Sequence, residues 1–127
     1  MNPWYSSLIK PPLTPPPSYF PIAWSILYFL MTVSFFIVLS KPHTTDKHIA
    51  ITLFLFQLIL NFTWSYVFFE MKSITLGLID VVFLLLFLIL TIIYFFKISK
   101  LAGILLIPYL LQVIFALYLN SGILILN

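Results

Sequence analysis

The chain has 127 residues, of which 63% are hydrophobic and only 7% are charged. A soluble domain carries about 25% charged residues, so six basic and three acidic side chains are too few to cover a folded domain in water. The mean hydropathy of +1.19 indicates a chain whose solvent is mostly lipid. The lysines are scattered and form no basic patch, which excludes nucleic acid as a partner. The absence of cysteine excludes disulfides and cysteine-based catalytic or metal sites.

The first 19 residues are expected to form a proline-rich lid loop at the membrane surface. The prolines that follow residue 10 prevent a regular helix from beginning before about residue 20. The segment also lacks the basic start and the apolar stretch of a secretory signal. Its aromatic side chains, Trp4, Tyr5 and Tyr19 among them, suit the depth of the lipid headgroups.

Four apolar runs follow the loop, and we place helices at about 20–40, 49–69, 74–96 and 101–126. Each run has about 20 or more residues, enough for an α-helix to cross a hydrocarbon core of about 30 Å. The predicted fold is an all-α polytopic membrane protein. It forms a single domain over residues 1–127, a bundle of four transmembrane helices with antiparallel neighbours.

The distribution of lysines predicts the orientation of the bundle in the membrane. Four lysines fall on one side and two on the other: Lys41, Lys47, Lys97 and Lys100 against Lys10 and Lys72. The side richer in lysine usually faces the cytoplasm. The N-terminal loop is therefore expected on the outer side.

Uncharged polar and aromatic residues recur within the runs at helical spacing. They are Trp24 and Tyr28 in the first helix, Gln57, Asn61, Trp64 and Ser65 in the second, and Gln112, Ala116 and Asn120 in the fourth. Lipid cannot satisfy polar groups, so these faces should meet other helices or an internal cavity. Two interpretations remain open: hydrogen bonds that hold the helices together, and a pocket for a large flat ligand with polar edges.

Ionisable residues offer little catalytic chemistry. Asp80 is the only carboxylate within a run; we expect a structural role for it near the membrane interface, for example pairing with Lys72, with a proton or ion site as the alternative. His43 and His48 lie in a polar loop and are expected to be solvated, so no metal site is predicted. The sequence contains no phosphate-binding loop and no hydrolase or zinc motif.

Four blocks of residues follow one another along the chain in a characteristic order. They are Trp4-Tyr5 with Lys10-Pro11, Thr14-Pro15-Pro16, Trp24 and Leu27-Tyr28; Gln57-Leu58 with Asn61, Trp64 and Phe68-Phe69; Asp80-Val81; and Pro108-Tyr109-Leu110 with Phe115-Ala116 and Leu119-Asn120. Their order and spacing resemble those of the TspO/MBR family, the translocator proteins or peripheral-type benzodiazepine receptors. The resemblance covers nearly the whole chain.

The resemblance implies a membrane receptor, commonly a homodimer, whose bundle cavity binds tetrapyrroles such as protoporphyrin IX and which requires no cofactor. It further implies roles in tetrapyrrole regulation, transport or stress response. Carried over position by position, the ligand-binding residues are Tyr5, Pro15, Trp24, Tyr28, Asn61, Trp64, Gln112, Ala116 and Leu119.

Three departures from the family pattern affect these expectations. The family has a further helix before the Trp-Tyr block, so we expect either a truncated N-terminus or a protein with four helices. Gln112 stands where the family has a tryptophan tied to light-dependent porphyrin breakdown, which weakens the case for an enzyme. The end of the chain lacks the tyrosine and the basic residue of the sterol motif, so sterol binding is not expected.

Two other functions remain open. A small proton-coupled membrane transporter needs a carboxylate within the membrane, and Asp80 alone could serve. A structural membrane protein without a small ligand would bind no tetrapyrrole and would co-purify with a partner.

Overall fold

The computed structural model of the protein describes residues 3–12 and 19–127. Its helices are α1 (Pro3–Ser7), α2 (Tyr19–Leu39), α3 (Thr45–Ser65), α4 (Ile74–Ile98), α5 (Lys100–Leu105) and α6 (Ile107–Leu126), and a π-helical turn (Tyr66–Glu70) extends α3. Four helical stretches are long and apolar enough to cross a membrane: Pro21–Leu39, Thr45–Glu70, Ile74–Ile98 and Lys100–Leu126. The predicted all-α polytopic fold is confirmed.

Local chemistry at the helix starts explains two differences from the predicted elements. Thr44 Oγ1 accepts a hydrogen bond from the backbone N–H of Lys47 at 3.1 Å, which is the bond that a helix N-cap supplies. Because of this cap, α3 begins at Thr45 rather than at about residue 49. The short helix α1 lies within the segment predicted as a loop; its Pro3 is tolerated because the first helical N–H has no partner within a helix.

The last apolar run forms one membrane span, Lys100–Leu126, as predicted over about 101–126, but it is divided into two helices rather than one continuous helix. α5 ends at Leu105 and α6 begins at Ile107, with Leu106 between them. Pro108 stands in the first turn of α6. A proline has no backbone N–H, and its ring clashes with the carbonyl four residues earlier, so the helical ladder is interrupted at this point.

Neighbouring helices run antiparallel, as the contacts between α2 and α3 show. Tyr28 bonds to Asn61 and Phe35 stacks on Phe54 with ring centroids 4.6 Å apart, so residue numbers rise along one helix as they fall along the other. The interface of α3 with α4 is the most extensive, and α2 packs mainly on α5. This arrangement brings the start of α2 to the level of the second half of α3.

Lys47 closes the turn between α2 and α3. Its side chain is buried, and its Nζ donates to the carbonyl oxygens of Leu39 at 2.9 Å and Lys41 at 2.8 Å. These carbonyls belong to the end of α2 and the residues after it. An ammonium group at this position also complements the partial negative charge of a helix C-terminus.

Replacing Lys47 with Met keeps the apolar stem but removes the donor of both hydrogen bonds. We expect the free energy of unfolding in detergent micelles to fall by about 1–3 kcal/mol, measured by circular dichroism during denaturant unfolding. Lys41→Met, at an exposed side chain, is the matched control and should cost less than about 0.5 kcal/mol. Equal stability of the two variants would contradict the capping role.

Candidate functional site

A chain of side-chain hydrogen bonds joins α2, α3 and α6 inside the bundle. Tyr28 Oη donates to Asn61 Oδ1 at 2.5 Å. Asn61 Nδ2 donates to Tyr109 Oη at 2.8 Å, and this hydroxyl donates in turn to Gln57 Oε1 at 2.6 Å. Because lipid offers no partner, an unpaired polar group here would cost several kcal/mol. The chain of bonds therefore fixes the three helices at one level.

The network also decides how far the predicted polar face of α3 extends. Gln57 and Asn61 are buried, at 0% and 2% exposure, but Ser65 is exposed. A step of four residues turns a helix by one full turn plus about 40°, so a third residue at this spacing has rotated away from the interior. The predicted common face is thus wrong for Ser65.

A second pair of hydrogen bonds positions the indole of Trp64. Its Nε1 donates to Asn120 Oδ1 at 3.0 Å, and Asn120 Nδ2 donates to the backbone carbonyl of Ile74 at 2.9 Å. Asn120 can approach α4 because residue 77 is glycine: a Cβ there would lie 2.9 Å from Asn120 Oδ1. The absence of a side chain at Gly77 is therefore needed for this contact.

A small, largely closed cavity lies beside these bonds, beneath the N-terminal lid of residues 3–12. Its internal volume is about 20 Å³, room for about one water molecule. Among the described residues its lining consists of Tyr5, Trp24, Trp64, Phe68, Phe69, Gln112, Ala116, Leu119, Asn120 and Ile123.

Most of the predicted ligand-binding residues meet at this cavity. Those in its lining are Tyr5, Trp24, Trp64, Gln112, Ala116 and Leu119. Tyr28 and Asn61 instead belong to the adjacent hydrogen-bond network and are outside the described lining. Pro15 lies outside the described residues. Ligand binding by any of them stays a prediction.

Sequence reasoning did not place Phe68 and Phe69 in the site, although both line the cavity. Phe68 stacks on Trp64, with ring centroids 5.2 Å apart and planes at 14°, and Phe69 stands edge-on to the same indole at 5.9 Å. Both belong to the π-helical turn, in which the N–H of Met71 bonds to the carbonyl of Tyr66, five residues back. Such turns are rare and often occur at functional sites. The one signal in the sequence was the Phe68-Phe69 pair in the second block of the resemblance.

The lid is fastened to the end of α6. Asn127 exchanges two hydrogen bonds with the backbone of Ile9, at 2.8 and 3.2 Å, and Tyr118 Oη donates to the carbonyl of Pro12 at 2.6 Å. Pro11 packs directly over Gly122, where a Cβ would lie 2.7 Å from the proline ring. These contacts hold the lid over the cavity.

Tyr5 forms the underside of the lid. It is 2% exposed, and this burial raises the pKa of its hydroxyl above the usual value because the phenolate would lose its hydration. The Nζ of Lys10 lies 4.8 Å from the centre of the Tyr5 ring, a cation–π geometry. The lid therefore presents the neutral side chain of Tyr5 to the cavity. The charged group of this part of the lid belongs to Lys10, which lies against the Tyr5 ring.

Asp80 is buried in α4, at 8% exposure, and its Oδ1 has no hydrogen-bond partner among the described residues. Lys72 is exposed and forms no ion pair with Asp80 in the described part of the chain, so the suggested pairing of these two residues is wrong. His43 and His48 are exposed, with ring centroids 6.4 Å apart. No group of three or more potential metal ligands occurs within residues 3–12 and 19–127.

Comparison with known proteins assigns the family. The profile of the TspO/MBR family matches residues 1–126. The chain belongs to this family. It is 42% identical over 125 residues to the tryptophan-rich protein TspO of Chlorobaculum tepidum, covering 98% of this chain and 79% of that protein. The tryptophan-rich protein TspO of Archaeoglobus fulgidus is 41% identical over 124 residues, which cover 98% of this chain and 80% of that protein. The tryptophan-rich sensory protein of Cereibacter sphaeroides is 36% identical over 124 residues, which cover 98% of this chain and 77% of that protein.

Family membership and the four apolar helices together make the chain an integral, multi-pass membrane protein. In this TspO/MBR protein, Gln112 differs from the family pattern, and the structure shows what this residue contacts. Gln112 is 7% exposed, lines the cavity, and accepts a hydrogen bond from Tyr19 Oη at 2.8 Å. A paired amide thus occupies a wall position for which the family resemblance implies an aromatic ring.

Tyr109→Phe would remove the hydroxyl at the centre of the network and leave the amides of Asn61 and Gln57 without this partner. We expect the free energy of unfolding in micelles to fall by about 1–3 kcal/mol, measured by denaturant unfolding. Tyr66→Phe, at a tyrosine that is 60% exposed, is the matched control and should change it by less than about 0.5 kcal/mol. If both variants are equally stable, the network does not hold the helices together.

Proposed function

We propose that this TspO/MBR protein is a membrane receptor that binds a tetrapyrrole of the protoporphyrin IX type in the cavity beneath the lid. The observation that carries the proposal is the lining of that cavity. Trp24, Trp64 and Phe68 present flat aromatic surfaces, while Gln112 and Asn120 add hydrogen-bonding groups. A flat apolar ring packs well on aromatic faces, and a few polar groups suffice to orient its edge.

Binding requires the closed cavity to widen. Pockets for small molecules measure about 300–1,000 Å³, whereas this cavity holds about 20 Å³. The hydrogen bonds that the lid makes to Asn127 and Tyr118 are exposed, so displacing the lid would chiefly unpack the buried Tyr5. The bonds of Tyr109 are buried and would resist separation of α3 from α6. A ligand would therefore displace the lid, while α3 and α6 keep their positions relative to each other.

Such a site fits a role in tetrapyrrole regulation, transport or stress response. We also place the lid on the outer side of the membrane, because Lys41, Lys97 and Lys100 lie at the opposite ends of the spanning helices. Lysine-rich ends usually remain in the cytoplasm. In this orientation the binding site would open toward the outer leaflet.

Filling the cavity tests the proposal directly. Ala116 is 5% exposed and lines the cavity, so Ala116→Leu would place a larger side chain where the ligand should lie. We expect the Kd for protoporphyrin IX to rise about tenfold or more, since overpacking costs about 1–3 kcal/mol. Absorbance titration of the porphyrin in micelles measures it. Ala23→Leu, at a half-buried alanine outside the described lining, is the control and should bind like the original protein.

Two results would count against this proposal in different ways. If the original protein leaves the porphyrin spectrum unchanged, the ligand class is wrong. If Ala116→Leu and Ala23→Leu bind equally well while circular dichroism shows both to be folded, the ligand binds outside the cavity.

A proton-coupled transporter is the second candidate, and the observation in its favour is Asp80. Carboxylates within membrane helices commonly belong to proton or ion pathways. Asp80 is buried, and its Oδ1 accepts no hydrogen bond from the described residues. Among these residues, that oxygen therefore has no structural role in joining the helices. Its place in the second turn of α4, near the end of the helix, favours this candidate less than a central carboxylate would.

Proteoliposomes with an imposed pH gradient test the second candidate. If Asp80 carries protons, Asp80→Asn should abolish gradient-driven uptake of protoporphyrin IX, because an amide side chain, unlike a carboxyl group, does not take up and release a proton. Glu70→Gln, at an exposed carboxylate, should leave the uptake unchanged. Absence of gradient-driven uptake by the original protein, or full uptake by Asp80→Asn, excludes the candidate.

A further inference from the structure

One hydrogen bond separates the closed cavity from a second, open depression in the bundle. The open groove has a volume of about 500 Å³, and its described lining consists of Tyr19, Pro108, Leu111, Gln112 and Phe115. Gln112 lines both the groove and the closed cavity. The bond from Tyr19 Oη to Gln112 Oε1, at 2.8 Å, therefore lies at the boundary between the two spaces.

Gln112 uses only one end of its amide in this bond. Its Oε1 accepts from Tyr19, while its Nε2 donates to none of the described residues. A primary amide carries two N–H donors. The nitrogen thus remains able to donate to a carbonyl or carboxylate oxygen that enters from either space.

Different side-chain hydrogen bonds hold the two ends of α2. α2 packs mainly on α5, where Ser34 Oγ donates to the backbone carbonyl of Ala102 at 2.7 Å. Near the lid, the bond of Tyr19 to Gln112 is the side-chain hydrogen bond between described residues of α2 and α6. Breaking it would leave the start of α2 in contact with α6 through the edge-on ring pair of Trp24 and Tyr109, which has no directional hydrogen bond, while the contact of Ser34 keeps the other end in place.

We infer that Tyr19 and Gln112 form a latch on a lateral opening between α2 and α6, through which a ligand dissolved in the lipid reaches the cavity. The inference rests on the proposed ligand site and names how access to that site is controlled. The apolar walls of the groove, Leu111 and Phe115, receive a flat amphiphile from the lipid. When the latch opens, the amide of Gln112 donates to an acceptor at the edge of the ligand and guides it inward.

A thiol placed in the cavity tests the latch without any tetrapyrrole. The chain contains no cysteine, so Ala116→Cys supplies a single reporter, and its alkylation by N-ethylmaleimide measures how often the cavity opens. Adding Tyr19→Phe removes the latch hydroxyl but keeps the ring. We expect alkylation to become roughly 2- to 10-fold faster, the factor that one net hydrogen bond supplies. Adding Tyr66→Phe instead, at an exposed tyrosine, should leave the rate unchanged.

Binding kinetics test whether the ligand uses the same opening. Tyr19→Phe should raise the association rate of protoporphyrin IX roughly 2- to 10-fold, measured by stopped-flow quenching of tryptophan fluorescence. Gln112→Leu should raise it less, because this substitution also removes the amide that guides the ligand. The double variant should be no faster than the faster single variant, since both substitutions break the same bond.

The possible outcomes separate the latch from the ligand. Unchanged alkylation in the Tyr19→Phe background overturns the latch. Faster alkylation in a protein that fails to bind protoporphyrin IX keeps the latch and overturns the proposed ligand. Rate effects that multiply in the double variant, or altered affinity with an unchanged association rate, show that Tyr19 and Gln112 act separately and overturn the inference.

Discussion

Lipid offers no hydrogen-bond partner, so a polar group inside the bundle is costly unless a partner within the protein satisfies it. This constraint accounts for the position of Tyr109, whose hydroxyl accepts from Asn61 on one side and donates to Gln57 on the other. Tyr28 completes the series from α2. Apolar packing alone would let the helices slide along one another, since lipid tails compete for the same contacts. The directional bonds fix their level, and with it the level of the cavity wall.

The cavity is a consequence of that fixed level. Trp64 is directed by Asn120, and Asn120 can reach α4 only because Gly77 has no side chain. With the indole held in this way, the π-helical turn brings Phe68 into stacking contact with it. The result is an aromatic wall on the helices and, opposite it, the lid with Tyr5 on its underside. The wall therefore belongs to helices that buried hydrogen bonds join, whereas the hydrogen bonds of the lid to Asn127 and Tyr118 are exposed.

A structural feature could be predicted only where it leaves a recognisable pattern in the sequence. The four spans were predictable because an apolar run of about 20 residues has few other uses. The break before Pro108 was hidden by unbroken hydropathy, and the π-helical turn leaves no periodic signal at all. Spacing placed Asn61 and Trp64 on the interior side, but it could not separate a residue that binds another helix from one that lines a cavity. The volume of the cavity depends on how side chains interlock, which composition does not encode.

The amide at position 112 brings the constraint and the site together. An aromatic ring at this wall could face lipid and cavity alike without a partner, whereas a buried amide needs a donor for its oxygen. Tyr19 provides that donor, and in doing so it ties the start of α2 to α6 across the boundary between the groove and the cavity. A residue chosen only for shape would close the wall by packing. A residue that must be paired closes it with a bond, and a bond can be exchanged for one to a ligand at little net cost.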